Sequence, residues 1–166
     1  MASNPPIGVI LMAMADSEAV SPEACAEAAR ICACFNVRRA ARAVTRLFDE
    51  ALQPSGLRST QFVMLVSIHA LQRTGLPALA DAMGLDRSAV TRRLKTLERE
   101  GLVRVTHSPA AGPSQVELTA KGRRKLNRTA PLWADVQARF ESALGTSRWK
   151  SLLNGLGAAH AAADRA

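Results

Sequence analysis

The hydrophobic positions of residues 76–105 recur first at helical spacing and then in alternation. The segment reads LPALADAMGLDRSAVTRRLKTLEREGLVRV. Pro77 falls where the first turn of a helix tolerates proline, and Gly84 is suited to ending that helix. Asp86 is a good N-cap for a second helix that ends at Gly101. The pattern therefore predicts a short helix, a tight turn and a second helix, which is the helix-turn-helix arrangement.

Two short alternating segments follow the second helix. Residues 102–107 and 115–118 alternate apolar and polar side chains, and the sequence SPAAGPS lies between them. This pattern indicates a β-hairpin with a tip that contains proline and glycine. A hairpin directly after a helix-turn-helix predicts a wing, so we expect a winged helix-turn-helix.

Longer helical segments flank this unit on both sides. Serine, proline and glutamate at residues 21–23 predict the start of one long helix that runs to about Leu52. Further helices are expected at residues 59–71, 120–144 and 147–163. The predicted fold class is therefore mainly α with a small β-hairpin wing.

The second predicted helix carries an excess of basic side chains. The chain has 22 basic against 14 acidic side chains and a net charge of +8. This balance indicates a polyanionic partner, most often nucleic acid, although a merely solvated basic surface gives the same count. Six basic and two acidic residues between Arg87 and Arg104 give a local charge of +4. If Val90, Leu94 and Leu97 face the core, these cations lie on the outward face.

The outward face is suited to the major groove of DNA, because a helix brings its N-terminal residues to base edges and flanking cations to phosphates. We expect Arg92 to recognise guanine, since its guanidinium group can donate to two hydrogen-bond acceptors of that base. Ser88 and Thr91 are short donors, and the helix N-terminus favours a phosphate. A solvated charged face is the alternative, but the downstream hairpin favours DNA. The predicted DNA contacts are Arg87, Ser88, Thr91, Arg92, Arg93, Lys95, Arg104 and His107.

The same segment resembles the MarR family of winged-helix transcription factors. The matching residues are LPALADAMGLDRSAVTRRLKTLEREGLVRV and then VELTAKGRRKL at residues 116–126. Upstream, FDEALQPSGLRSTQFVMLVSI at residues 48–68 resembles the end of the family's first helix and the start of its second. The resemblance covers residues 32–153. It implies a homodimer that binds double-stranded DNA at a palindromic operator and usually represses.

The resemblance also implies a dimer built from the first helix and the last two helices. Residues 22–52 and 120–163 are too long and too apolar to be covered by a winged domain alone, although an intramolecular bundle is the alternative. A two-fold pair also suits a palindrome read one helical turn apart. The expected segments are a poorly ordered tail (1–20), an N-terminal dimerisation helix (21–56), a winged helix-turn-helix DNA-binding domain (57–119) and C-terminal dimerisation helices (120–166).

The tip of the predicted wing departs from the family pattern. Relatives often place an Asp-x-Arg element there, whose arginine enters the minor groove. This chain has Ala110, Ala111 and Gly112 between two prolines, without a cation. We therefore expect the wing to touch only the backbone or to reach DNA through Arg104 and His107. The alternative function is a winged-helix protein-interaction module with weak or no DNA binding.

Two release signals fit a regulator of this kind. The first is a small aromatic acid as effector, in a cleft where Arg38, Arg42, Phe48 and His69 are expected. An arginine there would hold the carboxylate as a bidentate pair. Surface salt bridges are the alternative role of these arginines.

The second signal is oxidation. Counted back from Gln61, Cys34 falls where the peroxide-sensing OhrR branch of the family keeps its reactive cysteine, and Arg38 one turn on would stabilise a thiolate. That branch surrounds its cysteine with tyrosines, and this chain has none. Structural cysteines and a metal site are the alternatives. Cys32 and Cys34 should project about 200° apart from one helix, so we expect no bond between them within a protomer.

Other functional classes have little support. No apolar run approaches the roughly 20 residues that span a bilayer, and residues 7–15 make a poor signal peptide, so we expect a cytoplasmic protein. The three histidines lack zinc-ligand spacing, and no nucleophile–base motif or phosphate-cradling loop occurs. We expect no metal, no cofactor and no enzymatic activity. The predicted function is a sequence-specific transcriptional regulator, a repressor released by a small aromatic ligand or by oxidation.

Overall fold

The computed structural model describes residues 20–72, 74–106 and 114–165. Contacts divide the chain into two compact units, one ending at Arg46 and one beginning at Leu47. The α-helices are α1 (Pro22–Ile31), α2 (Ala33–Leu52), α3 (Ser59–Leu71), α4 (Leu76–Met83), α5 (Arg87–Arg99), α6 (Ala120–Leu144) and α7 (Thr146–Ala163), and a short 3-10 helix (Gln53–Ser55) follows α2. The strands are β1 (Thr74–Gly75), β2 (Val103–Thr106) and β3 (Gln115–Leu118).

Side-chain caps define three helix starts, and those at Ser21 and Asp86 confirm the predicted starts. The side-chain oxygens of Ser21, Asp86 and Thr119 each accept a hydrogen bond from the backbone N–H three residues further on, at 3.2, 2.7 and 3.0 Å. Gly84 ends α4 with a positive φ of 58°, a conformation that glycine adopts without strain. The helix-turn-helix therefore has the boundaries that local sequence chemistry predicts.

The prediction of one uninterrupted helix over residues 22–52 is wrong. Cys32 has extended backbone angles, φ −64° and ψ 114°, and separates α1 from α2. The break leaves carbonyl groups without helical partners. The side-chain amide of Asn36 donates to two of them, the carbonyl oxygens of Ala29 and Arg30, at 3.2 and 3.0 Å. It also lies 2.9 Å from the Cys32 carbonyl oxygen, which accepts the Asn36 backbone N–H as well. This side chain compensates the interruption locally, which helical periodicity does not reveal.

The hydrophobic core of the second unit is shared by its helices and its sheet. The three core positions predicted for α5 are confirmed, since Val90, Leu94 and Leu97 are at most 2% exposed. Side chains of the other elements complete the same cluster, among them Leu65, Leu79, Val103, Val116 and Leu126. Burying one face of α5 in this way fixes which of its residues face solvent.

The predicted hairpin is confirmed as the strands β2 and β3. They pair antiparallel, with Val105 opposite Val116. The two-residue strand β1 was not predicted; it adds to the other side of β3, so the sheet order is β1-β3-β2. The sheet therefore has β2 at an edge. The uncharged tip that the sequence places at residues 110–112 lies outside the described residues.

Candidate DNA-binding surface

The second helix of the helix-turn-helix exposes a row of cations. Arg92, Lys95 and Arg99 line one shallow groove of about 460 Å³, together with Thr96 and Glu98. The spacing of the three basic residues places them along one side of α5, because positions three, four and seven residues apart share a helix face. We call these three residues the cationic row. It lies on the side of α5 away from the core.

The N-terminal end of α5 is already occupied by a carboxylate. The Asp86 side chain accepts hydrogen bonds from the Ser88 hydroxyl at 2.5 Å and from the Ala89 backbone N–H at 2.7 Å. These bonds, helped by the positive charge of Arg92, hold the pKa of Asp86 below its usual value. From the sequence, this end of the helix is expected to attract a phosphate. Asp86 satisfies one of the free N–H groups there, that of Ala89, and adds a negative charge.

Ser88 and Thr91 use their hydroxyl hydrogens within the protein. Ser88 donates to Asp86, and Thr91 donates to the Arg87 carbonyl oxygen at 2.8 Å. Each hydroxyl keeps acceptor capacity, while a donated bond to DNA requires its hydroxyl to rotate. Arg87 itself is exposed at the first position of α5.

Arg93 lies on a different side of α5 from the cationic row. It lines a cavity of about 120 Å³ together with Thr60, Gln61 and Met64 of α3. The side chain is exposed, but its neighbours in this cavity include residues of α3 in the same chain. Arg93 therefore borders α3.

Arg104 is the wing cation that the structure describes. It lies on β2 with 69% of its side chain exposed, and its guanidinium is 3.7 Å from the Glu117 carboxylate on β3. His107, the other predicted wing contact, lies outside the described residues. Within the described part of the wing, Arg104 is thus the residue to test.

Two residues of this surface were missed as candidate sites. Arg99 completes the cationic row, and its spacing of seven residues from Arg92 was the available signal. Glu98 lies in the same groove, and its carboxylate accepts a hydrogen bond from the Val105 backbone N–H at 3.2 Å. No pattern in the sequence indicates this contact with β2, because the contact depends on how the hairpin packs.

The residues of the predicted effector pocket are divided between the two units. Arg38 and Arg42 are exposed on α2 in the first unit. In the second unit His69 is exposed on α3, and the half-buried Phe48 packs edge-on against Phe140 with ring centroids 6.5 Å apart. The cleft that would combine these residues stays a prediction.

Cys32 and Cys34 lie at and beside the break between α1 and α2, and Cys25 lies near the start of α1. Cys25, Cys32 and Cys34 are all exposed free thiols. The Cys32 sulfur accepts a hydrogen bond from the Phe35 backbone N–H at 3.4 Å, so this residue caps the start of α2. Because Cys32 is not helical, the 200° separation expected between Cys32 and Cys34 on one helix does not apply.

The described ranges contain neither a metal-ligand cluster nor a membrane-spanning helix. Within residues 20–72, 74–106 and 114–165, no group of three or more His, Cys, Asp or Glu side chains could hold a metal ion. Over the same ranges, none of the helices has the length and apolar character that crossing a bilayer requires.

A helix-turn-helix followed by an antiparallel hairpin, with cations along its second helix, defines the winged helix-turn-helix class of protein. The MarR family model matches residues 57–110. The transcriptional regulator MosR of M. tuberculosis, solved in complex with DNA, is 41% identical with a TM-score of 0.69; the alignment covers 80% of this chain and 98% of MosR. The chain therefore belongs to the MarR family of transcriptional regulators.

Further solved structures agree with this assignment. The transcriptional repressor CouR, bound to a 23-mer DNA duplex, is 27% identical with a TM-score of 0.71, covering 80% of this chain and 95% of that one. CouR has also been solved with p-coumaroyl-CoA. A MarR variant from E. coli with operator DNA shares the fold at 22% identity and a TM-score of 0.71, covering 80% and 96%. Among curated protein sequences none matches the chain.

Proposed function

We propose that the chain is a sequence-specific DNA-binding regulator that represses transcription as a homodimer on a palindromic operator. The observation that carries this proposal is the cationic row on the exposed side of α5, the second helix of the helix-turn-helix. Relatives support it, because MosR and CouR have each been solved in complex with DNA.

We assign the contacts according to position on α5 and the wing. Arg92, near the start of the row, reads guanine through two acceptors, while Lys95 holds a phosphate. Arg87, Ser88 and Thr91 contact the backbone or base edges near the helix start. Arg93 acts at the border of the surface, and the wing contributes Arg104 and His107.

The dimer uses the helices outside the winged domain. We propose residues 21–56 and 120–166 as dimerisation segments and residues 57–119 as the DNA-binding domain. Support comes from large apolar side chains that are exposed in the single chain, including Leu153 and Leu156 of α7, at 49% and 47%. Two copies related by a two-fold axis would present two α5 helices to successive turns of one duplex.

Release from DNA is proposed to follow one of two signals. CouR has been solved with p-coumaroyl-CoA, which supports an aromatic acid derivative as effector. Arg38, Arg42, Phe48 and His69 remain its proposed contacts. In the second mechanism a peroxide oxidises the exposed Cys34 thiol to a sulfenic acid and is itself reduced.

A protein-interaction module that has kept the winged fold is the second candidate function. It is favoured by one observation, the absence of a cation at residues 109–113 of the sequence, where relatives often carry arginine. Such a module would bind duplex DNA weakly and without base preference.

Fluorescence anisotropy with duplex DNA from immediately upstream of the gene separates the two candidates. A repressor loses affinity steeply as salt rises, because bound phosphates release counterions. Arg92→Ala should cost about 1–3 kcal/mol on the specific site and relax its base preference. An equal loss on unrelated duplexes would reduce Arg92 to a phosphate contact, and salt-insensitive, weak binding would favour the interaction module.

The release mechanisms are tested on the same complex. Reduced protein, peroxide-treated protein and protein with a panel of aromatic acids are compared, with Cys34→Ser and Arg38→Ala as variants. Loss of DNA binding after peroxide that Cys34→Ser abolishes supports oxidation, and loss with an aromatic acid that Arg38→Ala abolishes supports the effector pocket. A complex insensitive to both treatments would contradict both mechanisms.

A further inference from the structure

Glu98 places a negative charge inside the cationic surface of α5. Its side chain lines the same groove as Arg92, Lys95 and Arg99. A carboxylate in this position opposes the attraction of the row for phosphates, since like charges repel. For a surface proposed to bind DNA, an acidic residue here needs a separate physical reason.

The hydrogen bond to β2 provides that reason. The sheet order β1-β3-β2 leaves β2 with a neighbouring strand on one side only. Backbone groups on the open side of an edge strand lack ladder partners. On that side the Glu98 carboxylate accepts a hydrogen bond from the Val105 N–H at 3.2 Å. This side chain of α5 thus takes the place of the acceptor that a further strand would provide.

The contact joins the two elements that are expected to meet DNA. Val105 is preceded on β2 by Arg104, the exposed wing cation, whose side chain projects to the other face of the strand. Glu98 also lines a second cavity, of about 140 Å³, where Val105 meets Thr91 and Lys95 of α5. Holding the Val105 backbone therefore fixes where Arg104 lies relative to the row.

We propose that Glu98 is a positioning residue, which fixes β2 against α5 so that Arg104 and the cationic row engage one duplex together. This inference rests on the proposed DNA binding. It assigns to Glu98 no contact with DNA, and its effect on affinity acts through Arg104.

Two variants separate the hydrogen bond from the charge. Glu98→Gln removes the negative charge but keeps a side-chain oxygen that accepts from Val105. Glu98→Met removes both the charge and the oxygen acceptor, with a side chain of similar length. Each is combined with Arg104→Ala, and duplex affinity is measured. Arg104→Ala should weaken binding about fivefold in the Glu98→Gln background and less than about twofold in the Glu98→Met background. Equal losses in the two backgrounds would overturn the proposal.

Arg92→Ala provides the matched control for these cycles. Arg92 is on α5 itself, so its contribution should be equal in the Glu98→Gln and Glu98→Met backgrounds. If Arg92→Ala loses its effect in Glu98→Met as well, Glu98 stabilises α5 in general and does not position the wing. Thermal unfolding of each variant confirms that the proteins compared are folded.

Amide hydrogen exchange in the free protein tests the contact without DNA. The Val105 N–H should exchange at least about tenfold faster in Glu98→Met than in Glu98→Gln, because only the second keeps an acceptor. Equal exchange would refute the positioning role. The wild-type protein could also bind no duplex although this difference in exchange is observed. In that case the proposed DNA binding is wrong, while the contact between α5 and β2 is confirmed.

Discussion

At the scale of single residues, Gly122 shows how one position can tie three elements together. A β-carbon at Gly122 would lie 1.9 Å from the Leu102 carbonyl oxygen, closer than any two such atoms can approach. The neighbouring Thr119 donates its hydroxyl hydrogen to the Gly101 carbonyl oxygen at 2.7 Å and caps α6. The sequence Leu-Thr-x-x-Gly thus joins the end of α5, the start of β2 and the start of α6.

Gly122→Ala is expected to destabilise the protein by about 1–3 kcal/mol, because the added methyl group meets backbone that cannot rotate away. Urea unfolding measures the effect. Gly155→Ala in α7 is the matched control, since nothing lies within 4 Å of the added carbon there. The control should leave stability unchanged or raise it by up to about 1 kcal/mol. Equal unfolding midpoints for the two variants would contradict the close approach.

Asp49 is a residue whose protonation should affect stability. Its carboxylate accepts from the Ser59 backbone N–H at 2.7 Å and lies 3.4 Å from the Arg58 guanidinium. Burial alone would raise the pKa of Asp49, but hydrogen bonds from Ser59 and the charge of Arg58 lower it below the usual value. A carboxylate ten residues away in the sequence therefore satisfies a free N–H at the start of α3.

The pH dependence of unfolding follows from this lowered pKa. The ionised Asp49 contributes its full stabilisation above its unfolded pKa of about 4, and the contribution is lost as the pH falls through the lower folded value. Between pH about 4 and 2, wild-type protein should therefore lose more stability than Asp49→Asn, which keeps an acceptor but cannot titrate. The comparison uses urea midpoints at each pH. Parallel curves would show that Asp49 has the same pKa in both states.

At the scale of elements, α5 carries several surfaces with different neighbours. Val90, Leu94 and Leu97 are buried, the cationic row faces outward, and Arg93 borders α3. Sequence periodicity separates the buried side from the exposed side. The difference between Arg93 and Arg99 within the exposed side depends on where α3 packs.

Arg99→Ala and Arg93→Ala test this distinction, because both remove one positive charge from one helix. Arg99→Ala should weaken binding to all duplexes and reduce the salt slope by about 1, as expected for a lost phosphate contact. Arg93→Ala should have the smaller effect on both quantities. Anisotropy titrations at several salt concentrations measure them. A larger loss for Arg93→Ala would mean that DNA contacts the side of α5 that borders α3.

At the scale of the whole molecule, apolar surface remains exposed on helices outside the winged domain. In the first unit Phe35 and Val37 are 43% and 47% exposed. In the second unit part of this surface is covered internally, since Trp149 packs edge-on against Phe140 with centroids 6.1 Å apart. Leu153 and Leu156 of α7 stay exposed without such cover, as expected for residues that a second copy buries.

Charging this surface should dissociate the proposed dimer. We expect Leu153→Asp combined with Leu156→Asp to yield a monomer, because buried unpaired carboxylates oppose association. Light scattering after size exclusion gives the mass. Ser151→Asp combined with Asn154→Asp adds the same charge at exposed polar positions of α7 and should leave the dimer intact. If both double variants are monomers, the added charge alone causes dissociation. If both remain dimers, the interface lies elsewhere.

The sequence determined the features that depend on near neighbours in the chain. The helix-turn-helix and the hairpin follow from side-chain periodicity and from turn and cap residues, whose effects extend over only a few positions. The caps by Asp86 and Thr119, the left-handed Gly84 and the buried side of α5 are such features. The resemblance of residues 76–105 to the MarR family has the same origin, since that pattern encodes the local fold.

Only the tertiary structure decided the contacts between residues far apart in the chain. The strand β1 depends on pairing with β3 some forty residues later, and Asp49 caps a helix from which it is separated by a turn. The break at Cys32 is compensated by the side chain of Asn36, which reaches back to three carbonyl groups. Glu98 bonds to β2 because packing brings the edge strand to α5. Helical periodicity records which side of an element is buried, whereas the partner of each polar group depends on which elements pack together.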